Sequence, residues 1–136
     1  MKYTIRLFYL LIISLPFYSC ADNAITPPDY LDQGKAVDSL KKVYNCETIE
    51  FNNWGDKQAS DSCLTVCLVN STKVPLGSNV DNSVDQFTGI ASVIKKSLAK
   101  PQTYKTFYII FVKKQNVNGI EIKSHSAGME VPTREI

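Results

Sequence analysis

The pattern of apolar and polar positions divides the chain into three regions. An apolar run, LFYLLIISLPF, covers residues 7–17, and a polar region with two adjacent prolines follows it. From residue 34 onward, apolar residues recur at the spacings of helices and strands. The pattern predicts a leader at 1–19, a polar spacer segment at 20–33 and a single globular domain at 34–136.

Two segments of the domain have helical periodicity. A short amphipathic helix is predicted over residues 34–44. A longer helix is predicted from Ser83, because Ser83 and Gln86 have the spacing of a capping box, and Pro101 marks its end. One apolar stripe runs along this longer helix: Val84, Phe87, Ala91, Ile94 and Leu98. The stripe indicates that the helix packs against a sheet.

Four segments are typical of β-strands. Residues 46–51 alternate polar and apolar side chains, whereas residues 62–70 form a nearly continuous apolar run. Residues 104–127 contain Asn118-Gly119, a strong signal for a two-residue hairpin turn. Apolar residues on both faces near the start of this segment predict a central strand, and the hairpin tip is expected to be exposed and polar.

The two-residue turn also fixes which residues face each other across the hairpin. The expected pairs are Val117 with Ile120, Gln115 with Ile122, Lys113 with Ser124, and Phe111 with Ser126.

The element order predicts the fold class. Helix, strand, strand, helix, strand, strand is typical of an α+β domain. The simplest arrangement that buries the apolar stripes is a two-layer sandwich, in which a four-stranded, mainly antiparallel sheet carries both helices on one face. The order of the strands within the sheet is left open.

Composition and charge restrict the function classes. The chain has 136 residues, which suffices for one core, and its 44% hydrophobic content is ordinary for a globular protein. The net charge of +2 includes Lys2 and Arg6 of the leader, and the remainder has thirteen basic and thirteen acidic residues. A balanced domain gives no electrostatic case for nucleic acid. Lys113, Lys114 and Lys123 predict a small, solvated basic hairpin tip.

The leader is typical of a signal peptide. Lys2 and Arg6 precede an apolar run of eleven residues. As a helix this run would rise only ~17 Å, whereas the hydrocarbon core of a bilayer is ~30 Å thick. It is therefore too short to span a membrane, and Ser19 and Cys20 follow it closely.

The Ser19-Cys20 pair resembles the lipobox of bacterial lipoprotein precursors. In that family the signal peptide is removed before the cysteine, whose thiol receives diacylglycerol and whose amino group receives a fatty acid such as palmitate. The resemblance covers only the first twenty or so residues. It implies that Cys20 is lipidated and anchors the domain to the bacterial cell envelope, at the outer membrane in a Gram-negative cell. The alternative is a plain secretory signal that leaves Cys20 as an ordinary thiol.

Three further cysteines lie in the domain. Cys63 and Cys67 would sit ~13 Å apart on one strand, which is too far for a disulfide. Cys46 is therefore the common partner of any bond, and antiparallel neighbouring strands would favour Cys46–Cys67 over Cys46–Cys63. The alternative is three buried thiols. With His125 these cysteines supply four potential zinc ligands but no short chelating pair, so no metal or other cofactor is expected.

Candidate functional residues are few. Phe51 and Trp54 lie beside a polar loop and form a candidate aromatic contact patch; the alternative, which such a tryptophan favours, is that Trp54 covers the end of the core. His125 is the chain's single histidine and its one candidate catalytic base. The sequence predicts a non-enzymatic envelope lipoprotein that binds a protein or small ligand or assists assembly. The alternatives are a small envelope enzyme using His125 and a purely structural protein.

Overall fold

The secondary structure follows the predicted order of elements. The computed structural model describes residues 28–31, 34–52, 54, 62–75 and 80–136. The elements are helix α1 (Lys35–Val43), strands β1 (Thr48–Phe51) and β2 (Cys63–Val69), helix α2 (Val80–Ser97), and strands β3 (Thr106–Val117) and β4 (Ile120–Pro132). Short 3-10 turns occupy Pro101–Thr103 and Thr133–Glu135. The predicted α+β class is confirmed.

The four strands form one mixed sheet in the order β1-β2-β3-β4. Strand β1 is antiparallel to β2, and β4 is antiparallel to β3, whereas β2 and β3 are parallel. A parallel pair requires a crossover connection, and α2 lies in that connection. The sheet is thus mainly antiparallel, and its strand order, which the sequence left open, follows the order of the chain.

Both helices pack on one face of the sheet and enclose the main core. Alternate residues of the two central strands face the helices, because successive side chains of a strand point to opposite faces. The fully buried members from these strands are Leu64, Val66, Leu68, Phe107, Ile109 and Phe111. Helix α1 contributes Leu40, and α2 contributes Phe87, Ile90, Ala91 and Ile94. This arrangement is the predicted two-layer sandwich.

The start of α2 differs from the prediction. The helix begins at Val80, so Ser83 lies inside it and the predicted capping box at Ser83 and Gln86 is wrong. The apolar stripe is also shifted: Val84 is 39% exposed, and Ile90, which lies outside the predicted stripe, is buried. The helix ends at Ser97, before Leu98 bridges to Tyr30.

The opposite face of the sheet carries a second, smaller apolar cluster. Cys67, Val69, Ile110 and Val112 are buried there, and Trp54 and Tyr108 pack against them. Strand β3 is therefore apolar on both faces over its first half, as expected of a central strand.

The β3–β4 hairpin has the predicted turn but a shifted register at its base. Asn118 and Gly119 both have positive φ (55° and 83°), as a type I′ turn requires. The three pairs nearest the turn are confirmed, but Phe111 faces Ala127 and not Ser126. A β-bulge causes the shift, because Ser126 is one extra residue between the partners of Phe111 and Val112.

Candidate functional site

The outer part of the β3–β4 hairpin extends past the rest of the sheet. The last β2–β3 pair is Val69 with Val112, whereas β3 continues to Val117. Residues 113–124, named here the hairpin arm, are therefore flanked by no other strand among the residues that the structure describes. Such an arm presents both faces and one strand edge to its surroundings.

One face of the arm carries exposed apolar side chains. Val117 is 45% exposed, Ile120 is 67% exposed and Ile122 is 49% exposed. Strand alternation and the pairing of β3 with β4 place these three residues on the same face. The tip is exposed as predicted, but the prediction of a polar tip is wrong for this face.

The other face of the arm is held by ion pairs. Lys114 and Lys123 lie directly opposite each other, which alone would be unfavourable. Glu121 and Glu50 compensate: Lys114 Nζ lies 2.9 Å from Glu121 Oε2 and 3.5 Å from Glu50 Oε1, and Lys123 Nζ lies 3.5 Å from Glu121 Oε1. The hydrogen bond to Glu121 raises the pKa of Lys114, and the same bond lowers the pKa of Glu121.

These ion pairs correct the predicted basic tip. Two of its three lysines, Lys114 and Lys123, are neutralised on the charged face of the arm. Lys113 lies on the opposite, apolar face and makes no ion pair with any residue that the structure describes. It is therefore the one cation of the three that is available to a ligand.

A cleft of about 500 Å³ lies at the base of the arm. Its walls come from the loop after β2 and from the part of β3 that continues past it. The lining includes Asn70, Ser71, Val74, Phe111, Lys113 and Gln115. Lys113 provides a positive charge, and no carboxylate is found among the described residues that line the cleft.

Asn70 directly follows β2 and defines one end of the cleft. Its backbone N–H donates to the carbonyl oxygen of Val112 at 2.8 Å, and its Oδ1 accepts a 2.8 Å hydrogen bond from the N–H of Lys114. Its Nδ2 donates to Glu47 Oε2 at 2.6 Å. Asn70 has a φ of 53°, a conformation that asparagine tolerates better than most residues. The chain thus turns away from β3 at this residue.

The structure separates the two residues of the predicted aromatic patch. Phe51 is buried on the helix side of the sheet, where its ring centroid lies 5.8 Å from that of Tyr30. Trp54 packs on the other side, against the second apolar cluster, with its ring centroid 6.0 Å from that of His125. The prediction of a joint Phe51–Trp54 patch is wrong, and Trp54 instead covers part of the core.

His125 lies on the surface beside Trp54. A Cβ atom added to Gly128 would come within 2.9 Å of His125 Nε2, so the imidazole occupies space that only a glycine leaves open. No hydrogen bond joins His125 to another residue in the described part of the chain. No carboxylate among those residues therefore orients the imidazole of His125, as an acidic residue does in a catalytic triad.

The predicted cysteine pair also lies on opposite sides of the sheet. Cys46 belongs to the main core under the helices, and Cys67 belongs to the second cluster. The structure has Cys46, Cys63 and Cys67 as thiols, so the Cys46–Cys67 disulfide is not formed. Burial raises the pKa of the Cys46 thiol, while a hydrogen bond from Ser71 and the charge of Lys41 act in the other direction.

Cys20, the predicted lipidation site, lies outside the described residues. Within the described ranges, no helix is both long and apolar enough to cross a membrane. In the same ranges, no three histidine, cysteine or acidic side chains lie close enough together to hold a metal ion.

Comparisons with known proteins give no match to the chain, whether with protein families, curated proteins or solved structures.

The cleft residues Asn70, Ser71 and Val74 were absent from the sequence-based candidates. They lie in a polar loop after a strand, and the chain carries no motif that marks such a position as a site. A signal was present for the arm, because Val117, Ile120 and Ile122 alternate with polar residues around the turn. Alternation at the end of a hairpin indicates one apolar face that the turn cannot bury.

The location of the three thiols predicts their reactivity toward iodoacetamide. Cys63 is only partly buried and should be alkylated first in the native protein. Cys46 and Cys67 should react only after unfolding, Cys46 also because its raised pKa leaves little thiolate. Mass spectrometry of timed digests measures the order. A Cys46–Cys67 disulfide in the purified protein, or alkylation of Cys67 as fast as Cys63, would contradict the structure.

Proposed function

We propose that the protein is an exported domain, anchored to the cell envelope by lipid on Cys20, that binds another envelope protein through the hairpin arm. The observation that carries the proposal is the arm itself. It combines exposed Val117, Ile120 and Ile122 with an adjacent cleft that contains Lys113. A rim of polar groups around exposed apolar side chains is typical of protein-binding surfaces.

The point at which the chain enters the domain supports an orientation in which the hairpin arm points away from the membrane. Pro28 and Asp29 lie beside Tyr104, just before β3 begins, and the arm is at the other end of β3. The twelve residues of β3 cover roughly 35 Å. The seven residues between Cys20 and Pro28 reach at most roughly 25 Å. A lipid on Cys20 would therefore hold the entry end near the membrane and leave the arm pointing away from it.

A non-catalytic role is supported by the chemistry near the site. The lining of the cleft contains Lys113 and Lys114 together with amides and hydroxyls, which suit recognition of a polar ligand. His125, the candidate catalytic base, packs beside Trp54 on the opposite side of the sheet from the apolar face of the arm. The proposal thus places binding and the sole imidazole on different surfaces.

Replacing the anchor cysteine tests the tether. In the Cys20→Ser variant the thiol that would carry diacylglycerol is absent, and two or three acyl chains are needed for stable anchoring. We expect the variant to lack the change in electrophoretic mobility that lipid attachment and removal of the signal peptide cause. We also expect it to move from the membrane fraction to the soluble envelope fraction. Fractionation with metabolic palmitate labelling measures both. Unchanged membrane association and processing in Cys20→Ser would contradict lipidation and favour a plain secretory signal.

Replacing the apolar side chains of the arm tests the binding surface. The double variant Ile120→Thr/Ile122→Thr keeps β-branched residues in the strand but removes apolar area. We expect the affinity for the envelope partner to fall about tenfold or more, because burying one isoleucine side chain contributes about 1.5–3 kcal/mol and tenfold in affinity corresponds to about 1.4 kcal/mol. The measurement is quantitative co-purification from solubilised membranes at a range of protein concentrations.

Two matched variants control this experiment. Val84→Thr removes an exposed valine from α2, away from the arm, and should leave co-purification unchanged. His125→Ala should also leave both co-purification and cellular phenotype unchanged. Loss of function in His125→Ala with normal binding would favour the enzyme alternative, and the absence of any saturable partner would favour a purely structural protein.

A further inference from the structure

The edge of β3 that faces β2 continues past the end of β2. Val117 and Ile120 flank the two-residue turn, so these two residues exchange both of their backbone hydrogen bonds. Two and four residues earlier, Gln115 and Lys113 also direct their backbone N–H and C=O groups toward β4. The backbone groups of the residues between them point away from β4. Asn70 shows this directly, since it bonds to Val112 and Lys114 on that edge.

Beyond Asn70, this edge offers a short row of backbone groups. The N–H of Lys114 is occupied by Asn70 Oδ1, but the carbonyl of Lys114 and both backbone groups of Asn116 point to the space that a longer β2 would fill. No backbone hydrogen bond from a described residue reaches them. Asn116 is an exposed residue, which leaves this edge accessible to another chain.

The outer edge of β4 is a poorer template for another strand. It is interrupted by the bulge at Ser126, carries Glu121, Lys123 and Glu130, and ends at Pro132. Bulges, charges and proline are the features that protect sheet edges from pairing. The edge of β3 beyond Asn70 carries Lys113 and Lys114 but has no bulge and no proline, and the cleft lies beside it.

The side chains along this edge indicate the chemistry of the occupant. Lys113, Gln115 and Val117 follow one another on the face of the arm that carries the apolar residues. A strand beside them would place its own alternate side chains next to a cation, an amide and an apolar residue. Lys113 makes no ion pair with a described residue, so an acidic side chain at the first of these positions is complementary.

We propose that the partner contributes an extended peptide segment that adds to the sheet beside residues 113–117 of β3, in line with β2. Its alternate side chains are acidic opposite Lys113 and apolar opposite Val117. The backbone groups of Lys114 and Asn116 supply the main-chain hydrogen bonds, and Lys113 supplies the selectivity for charge. This inference rests on the proposed function, because it names the class of partner that the arm binds.

Synthetic peptides test the inference on the full-length protein in detergent micelles. The probes are TDTQTVT and its reverse, TVTQTDT, which place the acidic residue beside Lys113 in a parallel or an antiparallel strand. We expect one of them to shift the backbone amide resonances of Lys114 and Asn116 and to slow hydrogen exchange at Asn116. Absence of these changes with both peptides at millimolar concentration would overturn the inference.

Backbone methylation separates strand addition from side-chain contact. In an added strand, alternate N–H groups of the peptide face β3 and the others face solvent. Of two analogues N-methylated on the two alternate sets of amides, one should bind like the parent peptide and the other should not bind. Equal binding of both analogues and the parent would show that no main-chain hydrogen bonds form and would overturn the inference.

Charge reversal tests the role of Lys113. We expect Lys113→Glu to weaken binding of the acidic peptide about fivefold, because the change removes an exposed attraction and adds a repulsion. The same variant should bind a peptide with lysine in place of aspartate more tightly. Lys105→Glu, an exposed lysine before β3, is the matched control and should change neither affinity. Equal effects of the two variants would overturn the charge assignment.

The outcomes separate this inference from the proposed function. If the peptides fail but the Ile120→Thr/Ile122→Thr variant still loses its envelope partner, the arm binds by its apolar face and strand addition is wrong. If that variant keeps its partner, the proposed function itself fails.

Discussion

The parallel pairing of β2 with β3 is the interaction on which the rest of the structure depends. It aligns Leu64 with Phe107, Val66 with Ile109 and Leu68 with Phe111, so three layers of large apolar side chains face the helices. Because the two strands run in the same direction, the chain must cross over between them, and the crossover places α2 on those layers. Strands β1 and β4 then extend the sheet from either side of this pair.

The unequal lengths of the paired strands generate the candidate site. Strand β2 has seven residues and β3 has twelve, so β3 loses its parallel neighbour at Val112 and continues with β4 alone. Asn70 stabilises this end, because its side-chain oxygen accepts the hydrogen bond from the N–H of Lys114 that a backbone carbonyl would accept if β2 were longer. The same geometry leaves a cleft at the base of the arm and a backbone edge beside it.

The sequence predicted the elements well because each depends on local periodicity, and it failed where the outcome depends on neighbours. Apolar alternation identifies a strand but not the strand beside it, so the parallel β2–β3 pair could not be foreseen. The bulge at Ser126 adds one residue without a distinctive local signal. The disulfide prediction assumed antiparallel neighbours, and β1 and β2 are such neighbours, yet Cys46 precedes β1 and lies under the helices, opposite Cys67.

Hydrogen exchange along β3 in the isolated protein tests most directly whether its outer edge is open. The account predicts slow exchange at Lys113 and Gln115, whose N–H groups bond to β4, and at Lys114, which bonds to Asn70. It predicts that the N–H of Asn116 exchanges about tenfold faster or more, because no described residue accepts a hydrogen bond from it. An Asn116 amide as well protected as those of Lys113 and Gln115 would mean that the edge is already occupied and would contradict the account.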